Sequence, residues 1–432
     1  MQYVKSAMIA LILALGFFTG SKAQAEAVPV EVISEDGRYQ LLRGGKPYEI
    51  KGAGIEFGDL GLFASHGGNS TRTWSTENPR ITALEVLDNA AKHGVTVSMC
   101  IEIGRERWGF DYDDETAVAK QLEFARNEVL KYKDHPALLT WIIGNEINHA
   151  FKNPKFFDAI NDISKMIHEV DKNHPTTTAL AGFNAELAEL IETRASDLDF
   201  VSIQMYGGLV NLPRIIHEIG FKGPYMVTEW GSIGHWEVGK TSWGTPIELN
   251  SSEKAANYLK SYKIAIASDP DQLLGSYVFL WGQKQERTPT WYGMFLSDGS
   301  ETEAIDVMHY IWNDAWPDNR SPQIKSISLD SKSATKNITI KSGEHYKALI
   351  KATDPDGDQL KYHWEIMAES KATQEGGDME ETPESYDGLI KDASADKIVL
   401  QAPAQPGAYR LFVYVRDGQG NAGHANIPFR VE

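Results

Sequence analysis

Two glutamates stand where apolar runs end. Residues 137–146, ALLTWIIGNE, close on Gly144, Asn145 and Glu146, and residues 225–230, YMVTEW, place Glu229 next to last. Carboxylates are seldom set at the end of a buried run without a partner or a task. A carboxylic pair suits cleavage of a glycosidic bond, where one group gives a proton to the leaving oxygen and the other acts against the anomeric carbon. A separation of about 5–5.5 Å implies a covalent glycosyl-enzyme and retention, and a wider one inversion; the linear order of residues leaves that spacing open. Other chemistries lack their signals. There is no Gly-x-Ser-x-Gly for an esterase elbow, and His66, His149 and His235 have no metal-ligand spacing, so no metal or cofactor is expected. The single cysteine, Cys100, lies in VTVSMCIEI and reads as a small buried hydrophobe.

The elements that must position these groups alternate. Eight β-rich runs, PYEIKGAGI, NSTRTW, VTVSMCIEI, ALLTWIIGNE, TTTALAG, DFVSIQMY, YMVTEW and GSYVFLW, are separated by amphipathic stretches. Between the third and fourth, Val118, Leu122, Ala125 and Val129 recur at helical spacing. This predicts an α/β fold, a (β/α)8 TIM barrel over residues 29–318, in which functional groups gather at the carboxyl ends of the strands. Strands four and seven then face each other across the barrel mouth. A doubly wound open sheet is the alternative, and it lacks a glycine-rich phosphate loop after the first strand.

Beyond Trp316 and Pro317 the pattern changes. IKSISL, NITIK, HYKALIKA, LKYHWEI, DKIVLQA, YRLFVYV and NIPFRV alternate like half-buried strands, predicting a small all-β immunoglobulin-like sandwich over 322–432. Residues 369–387 are acidic and polar and read as a mobile loop. Trp364 falls inside a strand pattern, as a core residue would, so the module reads as a spacer or prop rather than a sugar binder. The DPDGD at 354–358 reads as a solvated turn.

The charge narrows the partners. Lys and Arg number 42 against 60 Asp and Glu, a net −18, with no basic stretch, which argues against nucleic acid and favours a neutral over an anionic polymer. The 11 Trp and 17 Tyr are compatible with stacking on sugar rings. Residues 1–25 combine Lys5, a short apolar run and Ala23-Gln24-Ala25, the pattern of an export signal cleaved before Glu26. Periplasmic or extracellular work is expected. No later run is long and apolar enough to span a bilayer, so no integral membrane contact is expected, and one cysteine cannot form an intrachain disulfide.

Asn-Glu closing strand four and Thr-Glu-Trp-Gly closing strand seven resemble clan A glycoside hydrolases, and WIIGNE resembles the catalytic barrel of family 2. The resemblance covers the barrel alone; the jelly-roll and sandwich domains that usually precede it in that family are not expected here. It implies Glu146 as acid/base and Glu229 as nucleophile. It also implies Asn145 as ligand of the substrate 2-hydroxyl, Tyr206 (IQMYGG) as donor to Glu229, Arg72 (TRTW) beneath the nucleophile and Trp281 (YVFLWG) as aromatic floor of the attacked sugar. Trp74, Trp108, His235, Trp236, Trp243, Trp291 and Tyr292 lie at or after strand ends, where substrate loops emerge. Glu102 after strand three and Glu56 after strand one are further candidates for sugar ligands or for support of Arg72. The expected activity is that of a retaining β-glycosidase acting within a neutral β-glucan, with β-1,3 linkage as the guess. Alternatives are a transglycosidase using the same glutamates and a non-catalytic carbohydrate-binding protein.

Overall fold

The computed structural model describes residues 26–55, 57–373 and 377–432. The export-signal segment and Glu56 lie outside the described residues. Eight parallel strands close into a barrel: Ile50–Gly54, Ser70–Arg72, Thr96–Ile101, Leu138–Asn145, Thr176–Ala181, Val201–Gln204, Tyr225–Gly231 and Leu273–Phe279. The eighth pairs with the first, Gly275 opposite Ile50, so the sheet has no edge and the open-sheet alternative is excluded. The first six strands fall within their expected runs; the seventh runs one residue further, to Gly231, and the eighth starts two residues earlier, at Leu273, and stops at Phe279. The helix after strand three, Glu115–Tyr132, is capped by Asp114, whose side chain accepts from the amides of Thr116 and Ala117. It buries Ala125 and Val129 against the barrel, as their spacing requires.

A hairpin, Val30–Glu35 and Arg38–Arg43, plugs the amino-terminal end of the barrel. The Val30 amide donates to the carbonyl of Asn173, and the Arg43 guanidinium to that of Pro136, both just before barrel strands. Val30 and Leu41 complete a small core with Ile50, Leu139, Phe200 and Met226. The lower barrel interior is filled by hydroxyls: Tyr277 Oη lies 2.8 Å from Ser70 Oγ and 2.6 Å from Ser98 Oγ. Buried hydroxyls are tolerated because they satisfy one another.

Seven C-terminal strands form a sandwich. Gln323–Leu329, His345–Thr353 and Lys397–Gln401 make one sheet, and Thr339–Ile340, Ala422–Val431, Gly407–Arg416 and Lys361–Ala368 the other. Trp364 is in its core with Ile350, Leu411 and Phe429. The Asp354 carboxylate accepts from the amides of Asp356 and Asp358 and so closes its own turn.

The module is docked on the barrel rather than hung from it, as a prop would be and a loose spacer would not. Glu248, on the barrel side, is fully buried and holds Lys254 at 2.5 Å, and it accepts from Asn426 of the sandwich at 2.6 Å. Arg410 of the sandwich donates to the carbonyl of Pro246 at 2.9 Å and to Glu369 at 2.8 Å. Burial works against the Glu248 charge, but Lys254 above all overcomes it and holds the carboxyl at about 2. The stretch expected as a mobile loop also reaches the barrel. Asp378 receives both terminal nitrogens of Arg107 at 3.1 Å, and Glu380 accepts from the Arg287 amide at 2.9 Å. Cationic side chains on the barrel rim recruit the acidic loop, an attraction that composition alone does not show.

Candidate active site

Local backbone irregularity aims the two glutamates inward. The pairing of strands four and five shifts register between Ile142 and Asn145, and that of strands six and seven between Val227 and Glu229. Such bulges re-aim side chains at strand ends. Gly144 has φ +74, and a Cβ there would lie 2.0 Å from Ile147 Cδ1, so the Gly-Asn-Glu sequence needs its glycine. Glu146 itself sits in the left-handed region at φ +50, a conformation a non-glycine residue adopts only when its surroundings enforce it.

Glu229 is 4 % exposed and is held by three donors. Arg72 Nη1 reaches Oε1 at 3.1 Å, Trp74 Nε1 reaches the same oxygen at 2.8 Å, and Tyr206 Oη reaches Oε2 at 2.7 Å. Every one of these contacts is stronger to a carboxylate than to an acid. Burial first, and then the Glu229 charge, push the Tyr206 hydroxyl well above its ordinary value, so it stays a donor. Arg72 is wholly buried and its Nη2 donates to Asn145 Oδ1 at 2.6 Å. Gln204 Nε2 donates to the same oxygen at 2.8 Å. The Asn145 amide oxygen is thus occupied, and its amino group is directed away from this pair.

Glu146 contrasts with Glu229. Burial, then the neighbouring charge of Glu229, raise its carboxyl to about 7, against the opposing influence of Arg72, Arg105 and Arg107. One carboxylate surrounded by three donors beside one whose carboxyl burial raises is the asymmetry that glycosidic cleavage requires.

A cleft of about 1320 Å³ opens over both glutamates. Trp74, Trp108, Asn145, Tyr206, His235, Trp236 and Tyr292 line it, as the sequence predicts. Trp74 has the further role, not read from sequence, of donor to Glu229. Three expected positions fall elsewhere. Glu102 turns to solvent, 3.9 Å from Arg105, and does not line the cleft. Trp291 is buried behind it, with Nε1 donating to the carbonyl of Ile233 at 2.9 Å, and Trp243 is likewise not part of the wall. Trp281 borders the cleft but is packed on Phe63 at 5.2 Å and Trp312 at 5.8 Å, so its surface belongs mostly to the core. The physical reason is that strand eight ends at Phe279, two residues earlier, leaving Phe279 on the cleft wall. Phe57, Arg80, Arg105, Gln204, Glu237 and Lys284 line the cleft without having been singled out. Only Gln204 carried a signal, being two residues before Tyr206 on the same strand face. Glu237 fixes the rim by accepting from the amides of Gly207 and Gly208, both at 2.8 Å. The sandwich contributes Gly377, Asp378 and Met379 to the wall.

Residues 59–257 match the family model "Glycosyl hydrolases family 2, TIM barrel domain". Over those residues the barrel is similar to the catalytic domain of that family. No curated protein matches the chain by sequence. Among solved structures, Bacteroides uniformis beta-glucuronidase 2, covalently bound to cyclophellitol-6-carboxylate aziridine, superposes with a TM-score of 0.52 at 13% identity, over 93% of this chain and 48% of its own. Bifidobacterium dentium beta-glucuronidase, complexed with coumarin-3-O-glucuronide, gives 0.51 at 17% identity, over 67% and 50%. A putative beta-galactosidase from Bacteroides fragilis gives 0.50 at 11% identity, over 94% and 58%. At these identities the likeness is one of fold. The chain spans about half the length of the structures it matches. Glu146, directly after the fourth strand, and Glu229, on the seventh, both lie within the matched residues.

Proposed function

We propose that this protein is a retaining β-glycosidase, and the observation that carries the reading is the opposed state of its two glutamates. Glu229, held charged by Arg72, Trp74 and Tyr206, attacks the anomeric carbon. The bond to the leaving oxygen breaks as protonated Glu146 gives that oxygen its proton, leaving a glycosyl ester on Glu229. Glu146, now a carboxylate, takes a proton from water; the water oxygen bonds the anomeric carbon and the ester bond breaks, restoring both groups. The Asn145 amino group, its carbonyl oxygen tied to Arg72 and Gln204, donates to the 2-hydroxyl of the attacked sugar. The full set of Glu229 donors argues against a non-catalytic binding role.

Internal cleavage of a polymer is supported by the free aromatic faces at the cleft mouth: Phe57, Trp108 and Trp236 are each about half exposed there. The case for a neutral β-glucan rests on the net charge of −18, a property of the whole surface. The first 25 residues support export of the mature chain. Product analysis on a panel of β-linked oligosaccharides, neutral and acidic, tests the reading. Shortened products whose first-formed anomer is β support it; an α anomer, or no turnover of any glycoside, overturns it. Lengthened products would assign transfer instead.

The raised Glu146 carboxyl sets the pH dependence. A general acid works only while protonated, so activity is retained up to its pKa and lost above it. The value of kcat/KM on an unactivated glycoside is expected to fall about tenfold per pH unit above roughly pH 7. The limb should vanish in Glu146→Gln. A limb near the ordinary glutamate range, about 4.3, would show that Glu146 is not the acid.

A further inference from the structure

Arg105 stands out among the cationic side chains near the cleft. Its side chain is only 10 % exposed, it lines the cleft, and among the described residues no nitrogen of its guanidinium makes a hydrogen bond. The nearest carboxylate, Glu102, lies 3.9 Å away and is itself half in solvent. Its other contact is with the Trp108 ring, 4.3 Å from the guanidinium carbon. Comparable arginines have acceptors for their terminal nitrogens: Arg72 holds Glu229 and Asn145, Arg107 holds Asp378, and Arg410 holds Glu369 and Asn426. A guanidinium this buried carries a desolvation cost that its own fold normally offsets with acceptors. Among the described residues Arg105 has only the distant ion pair with Glu102 and no hydrogen-bond acceptor, and its open side is the catalytic cleft.

We propose that Arg105 is a substrate-binding residue that holds an anionic group, a carboxylate or a sulfate ester, on the leaving-group side of the bond being cut. This deepens the glycosidase reading and rests on it. The side follows from topology. Arg105 lies in the segment after the third strand, which pairs with the fourth, and the fourth ends next to Glu146, the group that protonates the leaving oxygen. Planar oxyanions suit the guanidinium fork, which can donate two parallel bonds. Trp108, stacked on Arg105 and 4.7 Å from the Arg107 guanidinium, gives the attached sugar ring an apolar face. Because Arg107 is in turn clamped by Asp378, the sandwich holds this wall of the cleft in place. The net −18 describes the whole surface; this one cleft wall differs from it in presenting a guanidinium held only by a distant ion pair.

The test compares charged and uncharged partners on the inactive but ligand-binding Glu229→Gln protein. Calorimetry would measure β-linked disaccharides, gluco- and galacto-configured, whose reducing-end residue is a uronate, its methyl ester, a 6-sulfate or the neutral sugar. The anionic members are expected to bind roughly 10- to 100-fold more tightly than their neutral counterparts. That ratio should collapse toward one when Arg105→Gln is added, and be partly kept in Arg105→Lys. Uronate and sulfate arms identify which anion is read. Equal binding of charged and neutral members, no binding of any, or a ratio that survives Arg105→Gln overturns the proposal. The glycosidase reading fails separately, if the wild-type protein turns over no glycoside.

Discussion

Glu229→Gln is expected to fold like the wild type and to lose turnover by on the order of 10⁴-fold or more, because it removes the group that forms the glycosyl ester. The fold tolerates the change for a specific reason. The glutamine oxygen can keep the bonds from Arg72 and Trp74, and its amino group can donate to Tyr206, whose hydroxyl turns from donor to acceptor. Glu146→Gln should behave differently. On glycosides with poor leaving groups the loss is expected to be about 10²- to 10⁴-fold, and smaller on nitrophenyl glycosides, whose leaving group departs without a proton. With such an activated substrate, removal of the ester becomes slow in Glu146→Gln, since no base activates the water. Mass spectrometry should then find one glycosyl unit on the peptide containing Glu229. Label on another residue, or equal losses on both substrate classes, would falsify the assignment of roles.

Deleting residues from Pro322 onward is expected to destabilise the barrel severely. The sandwich supplies partners to groups that the barrel keeps buried. Asn426 donates to Glu248, the His424 amide donates to Ser251, and the Ile324 amide donates to Ser252. The Ala422 amide donates to the carbonyl of Glu301, and the Arg410 guanidinium to that of Pro246. Each buried polar group left without its partner costs about 1–3 kcal/mol, and five or so such losses lower the melting temperature by about 10 °C or more for a domain of this size. Thermal melts of the truncated and full chains, read by circular dichroism, check this. Partial rescue of the truncated barrel by the paired substitution Glu248→Leu and Lys254→Met would tie the loss to the exposed ion pair. A truncated barrel that melts with the full chain would restore the view of the module as a spacer.

Much of this protein was legible in the order of its residues. The eight barrel strands announce themselves because each is a short β-rich run between amphipathic helices, and burial on both faces demands such runs. Glu146 and Glu229 were legible for the same reason: a carboxylate that ends an apolar run conflicts with its surroundings unless it has work to do. Arg72 and Tyr206 were named through the family resemblance, and the contacts they make to Glu229 are those their chemistry suits. Trp364 and the seven sandwich strands were readable from alternation alone.

The tertiary structure decided what depends on the exact end of a strand or on the meeting of distant segments. Strand eight stops at Phe279, and those two residues carry Trp281 into the core and put Phe279 on the cleft wall. Trp74 became a donor to Glu229 rather than a sugar platform because strand two ends short and turns its indole inward. The acidic loop at 377–380 found donors more than 90 positions away in sequence, the Arg107 guanidinium and the Arg287 amide, and so became part of the cleft. Arg105 acquired its meaning only from what does not touch it. Periodicity and composition record which residues must be buried together. They do not record which buried charge finds a partner within the chain, because that is settled by three-dimensional proximity between segments whose separation in sequence is arbitrary.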